Sequence, residues 1–196
     1  MIAGEYAAFA DPYCYPGSDC LKNRLNIRDA TVLEAFEFEM FVARSVEAQP
    51  TGRFGPAHYR KIHRHLFQDV YHWAGRYRTI RIGKEGNWFC YPEHIPAQMD
   101  QLFCRLIERP FVLGASAHNF VAATAGFLAE LNAIHPFREG NGRTQLVFLH
   151  LIGLRAGHPF QFTRIRQETF LPAMIASFSG NLFPLISELG SLLGSE

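Results

Sequence analysis

Apolar residues recur at helical spacing along most of this chain, and the interruptions are as informative as the runs. Leu33, Phe36, Met40 and Phe41 share one face of a helix that Asp29 is placed to cap. That helix runs to about Glu47, where Gln49-Pro50-Thr51-Gly52 ends it. Ile62, Leu66, Phe67 and Val70 form the buried stripe of a second helix from about Pro56 to Val70, with proline in its first turn. Further helices are expected over about 93–108, 116–134, 142–156, 166–178 and 181–194, and Gly157-His158-Pro159 closes the 142–156 helix. Two stretches break the pattern. Pro12, Pro16 and Gly17 make residues 1–28 an irregular arm. In residues 77–92, Tyr77, Thr79, Ile80 and Ile82 favour strand, Gly83 to Asn87 favour a turn, and Trp88, Phe89 and Tyr91 favour strand again. The pattern predicts a mainly α fold, one domain over 1–196, carrying one β-hairpin whose open edges can take up another strand.

Composition narrows the partners. A chain of 196 residues, 48% hydrophobic with 18 Phe, can fill a substantial core. A net charge of +1, with Lys and Arg scattered, gives no electrostatic case for direct nucleic-acid binding. The densest basic stretch, Arg60 to His65, reads as a solvated helix face. Cys14, Cys20, Cys90 and Cys104 show no C-x-x-C spacing and read as reduced thiols of a cytoplasm, and His58, His63 and His65 match no zinc spacing. The N-terminus reads as no signal peptide, and the apolar stretch 111–134 is interrupted by His118, Asn119, Glu130 and Asn132, so no membrane span is expected.

The chemistry concentrates in His135-Pro136-Phe137-Arg138-Glu139-Gly140-Asn141-Gly142-Arg143, between two of the expected helices. Pro136 stops the first helix near His135, and Gly140 and Gly142 let the chain turn and let an anion approach the backbone. The N-terminus of the helix that restarts there is a phosphate site by its free N–H groups and dipole, and Arg143 in its first turn adds a cation. Glu139, a carboxylate beside an anion cradle, implies a mediating Mg²⁺. His135 is the one side chain of the loop able to take up a proton near neutrality, and its place at a helix C-terminus is expected to raise its basicity. Base, metal and cradle together point to phosphoryl or nucleotidyl transfer to a hydroxyl.

The loop resembles the signature of the Fic (Fic/Doc) family, H-x-F-x-[DE]-G-N-G-R-x-x-R. Tyr13 to Gly17 with Leu21 to Leu25, and Leu66 to Arg76, resemble the toxin-like bacterial members. The resemblance implies a Fic fold, a helical bundle around a helix–loop–helix core with a hairpin flap. It implies transfer of AMP from ATP to a Ser, Thr or Tyr hydroxyl of a protein, releasing pyrophosphate. His135 would be the base and Glu139 would hold Mg²⁺. Backbone amides over 138–142 (Arg138, Gly140, Asn141, Gly142) and the Asn141 side chain would line the anion hole, Arg143 would meet the polyphosphate, and Phe137 would anchor the loop. Ile80, Arg81, Ile82, Gly83 and Lys84 of the flap would register the target by main-chain pairing. Targets in such families are bacterial type II topoisomerases or host GTPases, inhibition comes from a small antitoxin chain, and a cytoplasmic protein or one delivered by a secretion system would fit.

The match breaks at one position: Leu146 stands where the family has a second arginine, which binds the γ-phosphate and pairs with the inhibitory glutamate. Losing that contact costs about 1.5–3 kcal/mol, or about one to two decades. Three readings follow: a slow AMP transferase, an enzyme for another nucleotide, or a scaffold kept for binding. No segment fits the inhibitory motif [ST]-x-x-x-E-[GN].

Overall fold

The helices lie where the apolar spacing puts them. The structure is a computed structural model that describes residues 11–84, 86–108 and 115–194. Helix α1 spans Ala30–Ser45, α2 Pro56–Phe67, α3 Ile95–Glu108, α4 Ala117–Ile134, α5 Asn141–Ala156, α6 Gln167–Phe178 and α7 Phe183–Ser191. Asp29 caps α1 by accepting from the Thr31 and Val32 amides, and Pro56 occupies the first turn of α2. Gly157, with φ of 80°, closes α5 by donating its N–H to the Gly153 and Leu154 carbonyls. The start of the expected arm (1–10), Glu85 of the expected turn and residues 109–114 lie outside the described residues.

Helix α4 is the axis of the molecule, packing against α3, α5, α6 and α7, while α2 lies across α1, α3 and α5. Ile62, Leu66 and Phe67 are fully buried, as the stripe of α2 requires, and Val70, expected to end this helix, is buried in the turn that follows it. Between these helices sits an aromatic cluster in which Phe148 of α5 touches the rings of Phe54, Tyr59, Phe103 and Phe127, mostly edge-on or tilted at 5.3–6.0 Å. The basic stretch of α2 is only partly a solvated face: Arg60, Lys61 and Arg64 are exposed, but His63 is fully buried.

The hairpin is much shorter than expected. Strand β1 is Gly83–Lys84 and β2 is Asn87–Trp88, antiparallel, with Gly83 opposite Trp88 and Lys84 opposite Asn87. Residues 77–82 are not strand, because their hydrogen-bonding groups go elsewhere. The Arg78 amide donates to the Pro136 carbonyl at 2.9 Å, and the Cys90 amide donates to Ala133 at 3.1 Å. Both feet of the flap are thus bound to the C-terminal end of α4, and beyond the short strands the Phe89 amide, donating to the Ile82 carbonyl at 3.1 Å, joins one foot to the other. The described part of the arm, residues 11–28, is irregular, with a lone bridge between Cys14 and Leu21.

Removing the central ring should show how much the aromatic cluster contributes. Phe148→Ala should lower the unfolding free energy by about 3–5 kcal/mol in urea titration; a loss below about 1 kcal/mol would mean that the neighbouring rings close the cavity.

Candidate active site

The loop 135–140 is anchored by Phe137, which packs against Tyr59 and Tyr77 as well as His63, and by the His63 imidazole. Phe137 is fully buried and stacks on the His63 ring at 3.7 Å. The Nδ1 of His63 accepts from the Gly75 amide at 2.8 Å, which fixes the tautomer, so Nε2–H donates to the Glu139 carbonyl at 3.0 Å. Gly75 and Gly140 make this approach possible. Both have positive φ (78° and 80°), and a Cβ on Gly140 would lie 2.5 Å from the Phe67 ring. Burial holds His63 neutral, its pKa lowered to about 3.

His135 is the last residue of the α4 turn and adopts φ 48°, a left-handed conformation that costs an L-residue about 1–2 kcal/mol. Its Nδ1 faces the Asn132 carbonyl at 3.3 Å, which leaves Nε2 as the proton acceptor. The expectation that the helix end raises its basicity is not met. Its pKa is lowered to about 3, first by burial and then by Arg78, with Lys84 and Arg138 adding to the effect and the Asn132 carbonyl opposing it. The carbonyls expected to favour imidazolium are already taken: Arg78 donates to both Ile134 and His135. The imidazole is held neutral.

Asn141 differs from expectation in what its side chain does. It is buried, and both ends of its amide are bound to Phe137, Oδ1 accepting from the N–H at 2.9 Å and Nδ2 donating to the carbonyl at 2.8 Å. It shapes the cradle from within. Helix α5 opens at Gly140 without a side-chain cap, so the amides of its first turn face the loop as an anion site would require. Arg138, buried, pairs with Asp11 of the arm at 2.7 Å.

Arg143 sits under the loop, over the rings of Phe67 (4.8 Å) and Phe41 (5.4 Å). It forms an ion pair with Glu37 of α1 and lies 3.5 Å from Glu139. Tyr71 donates its hydroxyl to the other oxygen of Glu37. Two largely buried carboxylates therefore share one guanidinium. Burial first, then Glu37, raises the pKa of Glu139, against the pull of Arg143 and of the Gly140 amide that it accepts at 2.9 Å. That excess of negative charge suits a divalent cation, and a single carboxylate completed by phosphates and waters is how Mg²⁺ is commonly held. Among the described residues no cluster of three or more His, Cys, Asp or Glu side chains offers a closed metal cage. Leu146, one turn further along α5, is half-buried.

The flap candidates separate by burial. Ile82 is fully buried and belongs to the core, Gly83 is covered by Trp88, and Ile80, Arg81 and Lys84 remain partly exposed. Arg81 lies over Tyr91 (3.9 Å) and Trp88 (4.9 Å) and donates to the Tyr91 hydroxyl at 2.7 Å. Sequence reasoning did not find Glu37, Asp11, Tyr71, His63 or Arg78, which meet the loop only through contacts distant along the chain. An acidic residue inside the apolar stripe of α1 was the one available signal, for Glu37.

A model of the Fic/DOC family matches residues 53–153. A probable protein adenylyltransferase of Sinorhizobium fredii is 50% identical over 190 residues, covering 96% of this chain and 99% of that protein. The protein adenylyltransferase VbhT of Bartonella schoenbuchensis is 35% identical over 180 residues, 90% of this chain but 38% of VbhT. Among solved structures, the Bartonella tribocorum effector BepC with bound AMPPNP superposes with a TM-score of 0.85 at 27% identity, covering 94% of this chain and 97% of that one. A Fic domain from Bartonella quintana with bound ADP gives the same TM-score at 28% identity, covering 94% and 95%. With these matches and the loop at its centre, the chain belongs to the Fic/DOC family.

The neutral histidines make stability depend on pH with a defined sign. The unfolded chain takes up protons near 6.5, whereas folded His63 does so only near 3. Its contribution is therefore complete above the unfolded value and is lost as pH falls from about 6.5 toward about 3. Between roughly pH 6 and 4, wild type should lose about 1.4 kcal/mol per pH unit more than His63→Gln in urea unfolding. Parallel slopes would show that His63 is protonated in the fold.

Proposed function

We propose that the protein transfers AMP from ATP to a hydroxyl-bearing side chain of another protein. The observation that carries this reading is the neutral His135, fixed one loop away from the uncapped N-terminus of α5, with Glu139 between them. The relatives named as protein adenylyltransferases, and the neighbours that hold AMPPNP and ADP, support the same substrate. The hydroxyl oxygen attacks the α-phosphorus, and its proton passes to Nε2 of His135. The bond between that phosphorus and the bridging oxygen breaks, and pyrophosphate leaves. The amides opening α5, in the cradle that Asn141 shapes, stabilise charge on the α-phosphate. Mg²⁺ held by Glu139 would neutralise phosphate charge. Arg143, freed from Glu37 or shared with it, would meet the polyphosphate, and the flap around Ile80 to Lys84 would align the target. Bacterial topoisomerase-like and host GTPase-like proteins remain the target classes to test, with a small antitoxin chain as a candidate inhibitor. Among the described residues no helix is long and apolar enough to cross a membrane.

Leu146 favours a second version of the same reaction, in which the nucleotide gains little from a γ-phosphate contact and a nucleotide other than ATP is preferred. Label transfer from α-labelled ATP with Mg²⁺ into a bacterial lysate tests both versions. Wild type should label a band that His135→Ala loses entirely, and Leu146→Arg should label it about tenfold faster or more. Undiminished labelling by His135→Ala would overturn the mechanism. Labelling by Leu146→Arg alone would favour the second version, and a panel of α-labelled nucleotides would then identify the substrate.

A further inference from the structure

Arg78 is 2% exposed, and its guanidinium reaches four backbone carbonyls. Nε donates to His135 at 2.8 Å, Nη2 to Ile134 at 3.2 Å and to Cys90 at 2.5 Å, and Nη1 to Ile80 at 2.6 Å. Two of these carbonyls end α4, and two belong to the opposite feet of the flap. With the Arg78 and Cys90 amides bound to Pro136 and Ala133, both feet are fixed to the helix that carries the base. Only a planar fork of five donors can span such a set; an ammonium group cannot. Between the feet, the Phe89 ring lies flat on the His135 imidazole, 3.9 Å away and 13° from parallel. Its amide is tied to the Ile82 carbonyl at 3.1 Å, and Phe178 of α6 supports the ring edge-on at 5.8 Å. One face of the imidazole is therefore covered by the flap itself.

We propose that Arg78 and Phe89 are positioning residues for the transfer: Arg78 fixes the flap to the end of α4, and Phe89 holds and covers the His135 imidazole. The proposal rests on the reading of His135 as the base. A target strand aligned along the flap is then delivered to a base whose distance and ring orientation are set in advance, and a displacement of about 1 Å at such a junction can cost about a hundredfold in rate. The charged groups facing the imidazole are Arg78 and Lys84 from the flap segment and Arg138 from the loop, with the Asn132 carbonyl from α4. Phe89 adds the apolar cover from the flap, and Phe178 of α6 stands behind it.

The test uses the full chain as wild type, Phe89→Leu, Phe89→Tyr and Arg78→Lys. Three quantities are read: the His135 imidazole resonances from roughly pH 8 to 5, Mg·ATP affinity by calorimetry, and label transfer from α-labelled ATP into lysate. In wild type the resonances should stay flat. In Phe89→Leu they should begin to titrate, and transfer should fall by about tenfold to a hundredfold while Mg·ATP affinity stays within about twofold. Phe89→Tyr, which keeps the ring, should restore both. Arg78→Lys should lose transfer to a similar extent with nucleotide affinity retained. Flat resonances with full transfer in Phe89→Leu would overturn the proposal, as would nucleotide affinity falling in step with transfer in Phe89→Leu and Arg78→Lys alike. The resonances are read without activity. An inert wild type would therefore overturn the proposed reaction, and the resonances alone would then decide whether Phe89 holds the imidazole.

Discussion

The stacking of Phe137 on His63 is the contact on which the rest of the site depends. The loop must be irregular to cradle an anion, and an irregular backbone inside a protein has polar groups that no helix satisfies. His63 addresses this from beneath. Its ring face holds Phe137, and its two nitrogens take a carbonyl of the loop and an amide of the turn at Gly75. A charged imidazole could not accept from Gly75, so the arrangement requires the neutral form that burial enforces. The second support is Asn141, which holds Phe137 from the other side by both ends of its amide. Between them the shape of the loop is set by the protein's own contacts, as a preformed anion cradle would require.

The charges around the loop follow a related logic. Both arginines of the loop are engaged from distant parts of the chain, Arg138 by Asp11 of the arm and Arg143 by Glu37 of α1. Each pair is largely buried, so removing one partner would leave an uncompensated charge. The arm, which lacks regular structure, is tied to the loop through the pair of Asp11 with Arg138, and Tyr13 packs edge-on against Trp73. Glu37 is the more consequential partner, because it sets the charge felt by Glu139 as well as by Arg143.

Much of this is legible in the sequence, for identifiable physical reasons. Helix positions follow from apolar spacing, and their ends from Asp29, Pro56 and Gly157, each of which acts locally. The loop residues are legible because an ordinary helix–helix turn has no use for proline, two glycines and three charges within nine positions, whereas an anion site uses them all. The flap is shorter than its sequence suggests, since the strand preference of Tyr77, Thr79 and Ile80 is outcompeted by the open carbonyls at the end of α4. The same carbonyls account for the low basicity of His135: the dipole of α4 would favour imidazolium, but Arg78 has already satisfied that end of the helix. Contacts spanning more than a hundred residues, such as Glu37 with Arg143, leave no periodic trace.

The left-handed backbone of His135 has a consequence for substitution. Asparagine and glycine occupy that conformation more easily than histidine does. A chain that exchanged the histidine for either of them would relieve that backbone cost but give up the packing of the imidazole against Phe89. On the proposed reading of His135 as the base, it would give up the transfer as well. The strain carried by His135 therefore marks a position where folding and chemistry ask for different residues.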